Sequence, residues 1–324
     1  MSSNLPEFHD VSYPPDKPEV ASNFFQRNPL RNEWLIAVIL FCLTLISTSF
    51  AGMFYSIGDI GFTAALQIFL RKPGIILYGL SFSIPLISIL LAHELGHFFA
   101  CRFYRMNCTP PFFIPVPVSI TGTMGAFIRI KSPFLNKRAL FDIGVAGPLA
   151  GFVFVLPLLF LGISSSRLIP KGAFPPGGLS FGEPLIFRWV GALLLGYSPD
   201  RQDMMAHPIA MAAWVGLLAT SLNLLPIWQL DGGHIAYAIL GRSRQQRLSI
   251  AGMAFLVLLN LWEWRTPSYL FFALLLLIVG WRVRFYHPRT LFEDEPLGRG
   301  RTIVGLLALL ILIISFIPVP VSFG

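Results

Sequence analysis

Charged residues are scarce in this sequence. Asp, Glu, Lys and Arg make up 12% of its 324 residues, whereas an ordinary soluble domain contains about a quarter. Hydrophobic residues make up 55%, and the mean hydropathy is +0.68. Such a composition is not that of a soluble domain and indicates an integral membrane protein.

Seven apolar runs approach the roughly 20 residues that a helix needs to cross a bilayer: 34–54, 75–102, 143–164, 207–228, 248–264, 268–283 and 302–320. We therefore predict an all-α polytopic membrane protein with six or seven transmembrane helices, the run 248–264 being the weakest.

The first 32 residues also have few features of a targeting peptide. Residues 1–32 are polar, contain proline and carry charges of both signs, so they resemble neither a signal peptide nor an acid-poor transit peptide. We predict that they form a flexible cytoplasmic tail. If seven spans then alternate, 17 of the 24 Lys and Arg residues lie on the cytoplasmic side and 7 outside, as the positive-inside rule requires. The net charge of +8 is thus explained as a topology signal, and we expect no nucleic-acid partner. The expected location is a prokaryotic cytoplasmic membrane.

Cysteine is nearly absent. Cys42, Cys101 and Cys108 are odd in number, and this topology puts two of them at or near the cytoplasmic face, where thiols stay reduced. We predict no disulfide. The expected organisation is the tail, a transmembrane core at 33–240 and additional transmembrane helices at 241–324.

The second apolar run carries polar groups that are costly in hydrocarbon. In LLAHELGHFFACRFYRM, residues 90–106, His93 and His97 are four apart, so they share one helix face and can bind one metal ion. Glu94 lies beside this pair, where a carboxylate can take a proton from metal-bound water, as in zinc metalloproteases. The alternative, a packing helix with incidental histidines, is disfavoured by the cost of burying these groups in a membrane span.

A catalytic zinc normally has three protein ligands. Cys101 lies eight residues after His93, on the order of 12 Å along a helix, which is too far for a shared ion, so it is interpreted as an ordinary buried cysteine. Among the 16 acidic residues, only Glu94 and Asp231 lie within or at the immediate end of a span beside other metal-ligand residue types.

Asp231 lies in TSLNLLPIWQLDGGHIAYAIL. Pro226 should break the helix here, and Gly232 with Gly233 should let the chain turn sharply after the aspartate. Broken helix at membrane depth marks a site. The second and fourth spans run in the same direction and carry their motifs near the cytoplasmic end, so the motifs can lie level. We predict that His93, His97 and Asp231 bind one zinc ion.

HELGH followed by NLLPIWQLDG, together with FDIGVAGPLAGF at 141–152, resembles the site-2 proteases, a family of intramembrane zinc metalloproteases. The resemblance covers residues from about 74 to 240. It implies that Asp231 is the third zinc ligand, Glu94 the general base, and Asn223 a polar group near the scissile peptide. An interhelical hydrogen bond is the alternative for Asn223. The implied activity is hydrolysis of peptide bonds in or near transmembrane segments, with transmembrane protein substrates and membrane lipids as partners.

The segment PPFFIPVPVSITGTMGAFIRI, residues 110–130, is apolar, rich in proline and β-branched, which is typical of neither a polar loop nor a helix. We predict a membrane-associated β segment at the interface, between the second and third spans. A protease binds its substrate extended, and an exposed strand edge can pair with an unwound chain. The resemblance implies such an edge, which we place at Gly125–Ile130, with Gly125, Phe127 and Ile128 positioning the substrate. The alternative is a structural re-entrant loop.

The remaining polar and small residues receive structural interpretations. Gly144, Gly147 and Gly151 let helices approach closely. His234 either orients Asp231 or serves capping and packing. Asp142 is interpreted as a solvated cap, His207 as interfacial, and His287 receives no role.

Other functions predict different features. A zinc transporter or other zinc-binding membrane protein needs ligands at several depths, whereas this chain offers one cluster. An inactive relative is disfavoured by Glu94 beside a complete ligand set. A prenyl-protein type metalloprotease needs a downstream glutamate ligand, and no later span interior contains one.

Overall fold

The structure is a computed structural model that describes residues 31–57, 62–117, 119–173, 178–262, 268–282, 287–292 and 296–323. It is mostly helical. The helices are α1 (Arg31–Ile57), α2 (Phe62–Arg71), a 3-10 helix (Pro73–Gly79), α3 (Leu80–Phe103), α4 (Lys137–Ser164), α5 (Leu185–Leu195), α6 (Pro208–Leu224), α7 (Asp231–Leu240), α8 (Arg242–Trp262), α9 (Leu270–Arg282) and α10 (Arg299–Ser315). The strands are β1 (Phe112–Pro115), β2 (Thr123–Phe127), β3 (Arg167–Pro170), β4 (Leu179–Phe181), β5 (Gln202–Met205) and β6 (Val321–Phe323).

Three helical segments in the described part of the chain are long and apolar enough to cross a membrane: Arg31–Ser56, Pro73–Phe103 and Lys137–Ser164. They correspond to the first three predicted spans. Shorter apolar helices lie at Leu185–Leu195 and Pro208–Leu224. The later apolar runs also contain helices, α8 to α10. The predicted tail falls on residues outside those described, except that Arg31 and Asn32 already belong to α1.

Helix α4 packs against both α3 and α6, and these three helices form the centre of the molecule. Their shared core contains large buried side chains from all three, among them Phe82, Leu86, Leu159 and Trp214. Close contact depends on small residues. A Cβ on Gly216 would lie 2.9 Å from Ile89, so glycine allows α6 to approach α3.

Strands β1 and β2 form an antiparallel hairpin between the second and third predicted spans, as the sequence indicates. The position of this segment at the membrane interface stays a prediction. Near its base, Lys131 pairs with Glu33 at the start of α1. Near its tip, Tyr55 Oη at the end of α1 donates to the Ile120 carbonyl at 2.9 Å. The hairpin therefore runs along most of α1. β2 begins two residues before the predicted edge strand and ends at Phe127.

The opposite end of the bundle contains structure that the sequence analysis missed. β3 pairs with β5, β4 pairs with β6, and α5 lies between them in the chain. These strands have three or four residues each, too short for a clear alternation of polar and apolar side chains. The carboxylate of Asp203 has a lowered pKa because Lys171 and the Gly172 N–H donate to it.

Asp142 is not a simple solvated cap. Arg301 Nη2 lies 2.7 Å from its Oδ2, and Tyr104 Oη donates to the same carboxylate. This ion pair joins the start of α4 to α10. The prediction failed because the partner lies 159 residues away in the chain.

Candidate metal centre

The two histidines of HELGH lie on the inner face of α3. His93 and His97 are 6% and 7% exposed, and their Nε2 atoms are 3.1 Å apart. Two nitrogens at this separation without a shared proton or cation repel each other. The arrangement is therefore suited to a cation between the two rings.

A break in the chain brings Asp231 to the same place. Helix α6 ends at Leu224, residues 225–230 form a loop around Pro226, and α7 begins at Asp231. Its Oδ2 lies 3.2 Å from His93 Nε2 and its Oδ1 lies 3.3 Å from His97 Nε2. Pro226 thus breaks the helix as expected.

The roles predicted for Gly232 and Gly233 are wrong. Both residues are helical, and the turn precedes the aspartate. A Cβ on Gly232 would lie 1.9 Å from the Leu224 carbonyl oxygen, and one on Gly233 would lie 2.2 Å from that of Trp228. These glycines let the first turn of α7 pack directly on the preceding loop.

The three donor groups fit a zinc ion. Ligand atoms about 2.0–2.1 Å from a tetrahedral zinc are about 3.3 Å from one another, close to the separations of 3.1–3.3 Å seen here. Oδ2 of Asp231 is buried without a hydrogen-bond partner. Two imidazoles and one carboxylate also match the chemistry of a catalytic zinc site, which keeps one position open.

A backbone carbonyl orients His97. Its Nδ1 donates to the Ile143 carbonyl of α4 at 2.7 Å, which leaves Nε2 unprotonated and able to bind a metal. Sequence reasoning missed this partner because a carbonyl carries no side-chain signal.

Glycines of α4 make room for the histidine rings. A Cβ on Gly147 would lie 2.0 Å from His97 Nε2, and one on Gly151 would lie 3.2 Å from His93 Cβ. Gly144 faces His234 and the Asp231 backbone in the same way. The sequence analysis expected these glycines to let helices approach closely. They do so where α4 faces the candidate metal ligands.

Glu94 is 6% exposed and lies beside the three donor residues. The backbone N–H of Ile128, just after β2, is a hydrogen-bond partner of its carboxylate. The hairpin therefore meets the metal centre at Ile128. Phe127 is 46% exposed and packs on Phe112, and Gly125 has φ +99° with open space on its Cβ side.

Asn223 lies near the end of α6, with its Nδ2 3.3 Å from His93 Nε2. The contact joins α6 to α3, in line with the alternative interpretation of Asn223 as part of an interhelical hydrogen bond. The atom contacted on α3, however, is His93 Nε2, which faces the candidate metal position. The structure thus brings Asn223 to the same centre as the ligands.

Two other residues noted in the sequence, Cys101 and His207, lie elsewhere. Cys101 is buried in a cluster with Met106 and Cys108, away from the donor group, and all three cysteines are free. His207 is the N-cap of α6, where its Nδ1 accepts from the Ile209 N–H.

His287 has a structural partner that the sequence did not reveal. It is 1% exposed, and its Nε2 lies 2.6 Å from Nδ1 of His234 in α7. Its own Nδ1 donates to the Pro288 carbonyl, so Nε2 accepts from His234. Phe134 and Tyr237 pack on the ring. The polar sequence around His287 concealed this buried position.

This arrangement is typical of a zinc-hydrolase centre. It combines two histidines four residues apart on one helix, a glutamate beside the first histidine, and a carboxylate from a second segment. The family model for peptidase family M50 matches residues 81–261, more than half of the chain. The chain therefore belongs to peptidase family M50, the site-2 protease family, and the resemblance noted in the sequence is confirmed.

Curated relatives agree with this assignment. The chain is 28% identical to the probable zinc metalloprotease EGY1, chloroplastic, of Arabidopsis thaliana over 302 residues, which are 89% of the chain and 53% of that protein. It is 36% identical to the Oryza sativa subsp. japonica protein of the same name over 162 residues, 48% and 27% of the two chains. The match to the probable zinc metalloprotease EGY2, chloroplastic, of Arabidopsis thaliana is 33% over 179 residues, 55% and 32%. The chain thus spans between about a quarter and a half of the length of these relatives.

Proposed function

We propose that this chain is an intramembrane zinc metalloendopeptidase that hydrolyses peptide bonds in or near the transmembrane segments of membrane proteins. The observation that carries the proposal is the convergence of two Nε2 atoms and the Asp231 carboxylate beside Glu94, all within a buried helix bundle. Family membership and the names of the relatives support the same activity and a single zinc cofactor.

His93, His97 and Asp231 would hold the metal. Zinc bound there supplies a Lewis acid, which lowers the pKa of its water to about 7 and polarises the scissile carbonyl. Glu94 acts as the general base: it accepts a proton from the attacking water and passes it to the leaving amide nitrogen. The Ile128 N–H holds the carboxylate in one orientation during both transfers.

Asn223 positions the substrate in this proposal. Once a metal occupies His93 Nε2, the Asn223 amide loses that acceptor and can donate to a substrate carbonyl instead. Its place at the end of α6, beside the break before Asp231, puts it at the edge of the centre.

The substrate would bind as an added strand along β2. Backbone groups of successive residues in an extended chain point to opposite edges. The Arg129 carbonyl accepts from Thr109 N–H on the β1 side, so the peptide groups of Ala126 and Ile128 face the other edge, toward Glu94. In this arrangement Gly125, Phe127 and Ile128 fix the conformation of the edge along which the substrate would pair. The side chain of Phe127 packs on Phe112 of β1.

The chain is an integral membrane protein, and we propose six or seven spans with an N-terminus on the cytoplasmic side. Lys131–Glu33 and Asp142–Arg301 lie at one end of the bundle, whereas the paired strands β4 and β6 lie at the other. This division agrees with the proposed alternation of spans, which puts residues 33, 131, 142 and 301 on one side of the membrane and strands β4 and β6 on the other. We also propose the division into a tail at 1–32, a protease core at 33–240 and accessory helices at 241–324. The relatives named above are chloroplastic, so a prokaryotic membrane stays a prediction.

The alternative of a zinc transporter finds no support in the described residues, where one group of three or more potential ligands occurs. The test is cleavage of a model transmembrane substrate in proteoliposomes. We expect the wild-type chain to cut it, a zinc chelator to stop cleavage, added zinc to restore it, and Glu94→Gln to remain inactive throughout. Zinc transport without cleavage by the wild-type chain would contradict the proposal.

A further inference from the structure

The loop that carries the chain from α6 to Asp231 cannot satisfy its own backbone. Pro226 has no N–H, and Trp228 has φ +46°, in a region that a bulky side chain rarely adopts. At membrane depth, each backbone group freed by a helix break needs a partner within the protein. The loop therefore depends on another element for its conformation.

Two buried side chains of α8 supply these partners. Gln245 and Ser249 are both 0% exposed. Ser249 Oγ accepts from the Trp228 N–H at 2.9 Å and donates to the Pro226 carbonyl at 3.1 Å. Gln245 Nε2 donates to the Trp228 carbonyl at 3.2 Å and to Ser249 Oγ at 2.8 Å.

These four hydrogen bonds use the Ser249 hydroxyl and the Gln245 NH2 group fully, whereas Gln245 Oε1 is buried without a hydrogen-bond partner. The Ser249 hydroxyl accepts two hydrogen bonds and donates one, and both N–H groups of the Gln245 amide are used. Neither residue was noted in the sequence, because a glutamine and a serine one turn apart on a helix carry no motif.

The held loop is mechanically linked to Asp231. Leu230 N–H donates to the Ile227 carbonyl at 3.0 Å, which closes the turn directly before the aspartate. The first turn of α7 then rests on the Trp228 carbonyl, since a Cβ on Gly233 would lie 2.2 Å from that oxygen. A shift of Trp228 would therefore move the start of α7 and its carboxylate.

We propose that Gln245 and Ser249 are positioning residues for the metal centre. They hold the loop 226–228, and through it they place Asp231 against His93 and His97. This inference rests on the proposed function, since it takes Asp231 as a zinc ligand. Partners that hydrogen-bond directly to a metal ligand typically contribute 10–100-fold to metal affinity, and we expect an effect of similar size when the loop that carries the ligand is displaced.

The test compares zinc affinities, measured by chelator competition on the purified full chain, for Ser249→Ala and Gln245→Leu. Ser166→Ala is the matched control. Ser166 Oγ also accepts from a backbone N–H, that of His207 at 2.9 Å, and donates to a carbonyl, that of Gly162 at 2.8 Å, but at the far end of α6. We expect zinc binding to weaken roughly tenfold or more in the two α8 variants and to be unchanged in the control.

A spectroscopic measurement separates positioning from a general loss of stability. With Co²⁺ in place of zinc, the visible absorption bands should shift in Ser249→Ala and Gln245→Leu, because the carboxylate ligand is displaced, and should match wild type in Ser166→Ala. Wild-type zinc affinity and cobalt spectra in either α8 variant would overturn the inference.

Asp231→Ala, measured in the same way, keeps the two hypotheses apart. If Asp231→Ala binds zinc as tightly as wild type, the ligand assignment itself fails. If Asp231→Ala loses zinc while both α8 variants keep it, only the positioning role fails. Should Ser249→Ala not fold, Gln245→Leu carries the test, since it retains the hydroxyl bridge between Trp228 and Pro226.

Discussion

Gly147 lies against His97 so closely that a Cβ at position 147 would be 2.0 Å from the imidazole Nε2. The absent side chain on α4 is therefore what lets the ring of His97 reach Asp231 and His93. The contact between Gly147 of α4 and His97 of α3 therefore serves both helix packing and the geometry of the candidate metal site.

Gly147→Ala should displace the His97 ring and weaken zinc binding while the bundle still folds. We expect zinc affinity to fall by an order of magnitude or more, as for other changes that misorient a ligand, with a parallel loss of cleavage. Gly300→Ala is the control: it adds the same methyl group to helix α10, where nothing lies within 4 Å. Zinc titration of both proteins is the measurement, and equal affinities would contradict the account.

The buried pair of His287 and His234 should make stability sensitive to acid. Burial lowers the pKa of His287 from 6.5 to about 4, so the folded protein keeps the ring neutral while the unfolded chain takes up a proton. Stability is then lost as the pH falls from 6.5 toward 4. The full effect is on the order of 3 kcal/mol, at about 1.4 kcal/mol for each tenfold change in proton affinity.

His287→Gln keeps a polar group beside His234 but cannot titrate. Its melting temperature should fall less steeply than that of wild type between pH 6.5 and 4, as followed by thermal unfolding in detergent. Parallel slopes for the two proteins would show that His287 does not titrate with folding.

The strand-pairing proposal predicts that Ala126→Pro cuts poorly while it keeps zinc and fold. Proline removes the Ala126 N–H, which faces the edge toward Glu94. Phe127→Pro is a different change, because the Phe127 peptide lies on the β1 side, and it should destabilise the hairpin as well. Cleavage rate, zinc content and thermal unfolding of the two variants separate these effects, and full activity of Ala126→Pro would rule out pairing at this position.

Substrate choice should follow helix stability. Cleavage requires several substrate residues to unwind, and a glycine costs a helix about 1 kcal/mol relative to alanine. A transmembrane substrate whose glycines are replaced by leucine should therefore resist the enzyme, whereas a short peptide of the same sequence, already extended, should be cut at the same rate either way. Equal cleavage of the two transmembrane substrates would contradict this.

The proposed topology puts Lys171 and Arg244 on opposite sides of the membrane. Single cysteines introduced at these positions, in a chain whose native cysteines are replaced by serine, should react with an impermeant reagent from opposite sides. Labelling of both positions from the same side would contradict the number of membrane crossings proposed between residues 171 and 244.

The grouping of the site residues was predictable from the sequence because it depends on local spacing. His93, Glu94 and His97 lie within one helical turn and a half, and Pro226 marks the break before Asp231. The structure brings all four polar residues, together with Asn223, to one place.

What the sequence did not reveal depends on partners distant in the chain. His287 finds His234 across 53 residues, Arg301 finds Asp142 across 159, and Ser249 finds Pro226 across 23. Neither pattern nor composition encodes such pairs. The glycines after Asp231 were misread for a related reason: glycine permits both a turn and close packing, and only the backbone beside it decides between them.

The most direct test of the central claim is the zinc content of purified wild type, Glu94→Gln and Asp231→Ala, measured beside their cleavage rates. We assign two histidines and one aspartate as ligands and Glu94 as the base. Glu94→Gln should therefore keep about one zinc per chain and lose cleavage. Asp231→Ala should lose most of its zinc and its cleavage together. Full zinc and full activity in Asp231→Ala, or normal cleavage by Glu94→Gln, would contradict the account.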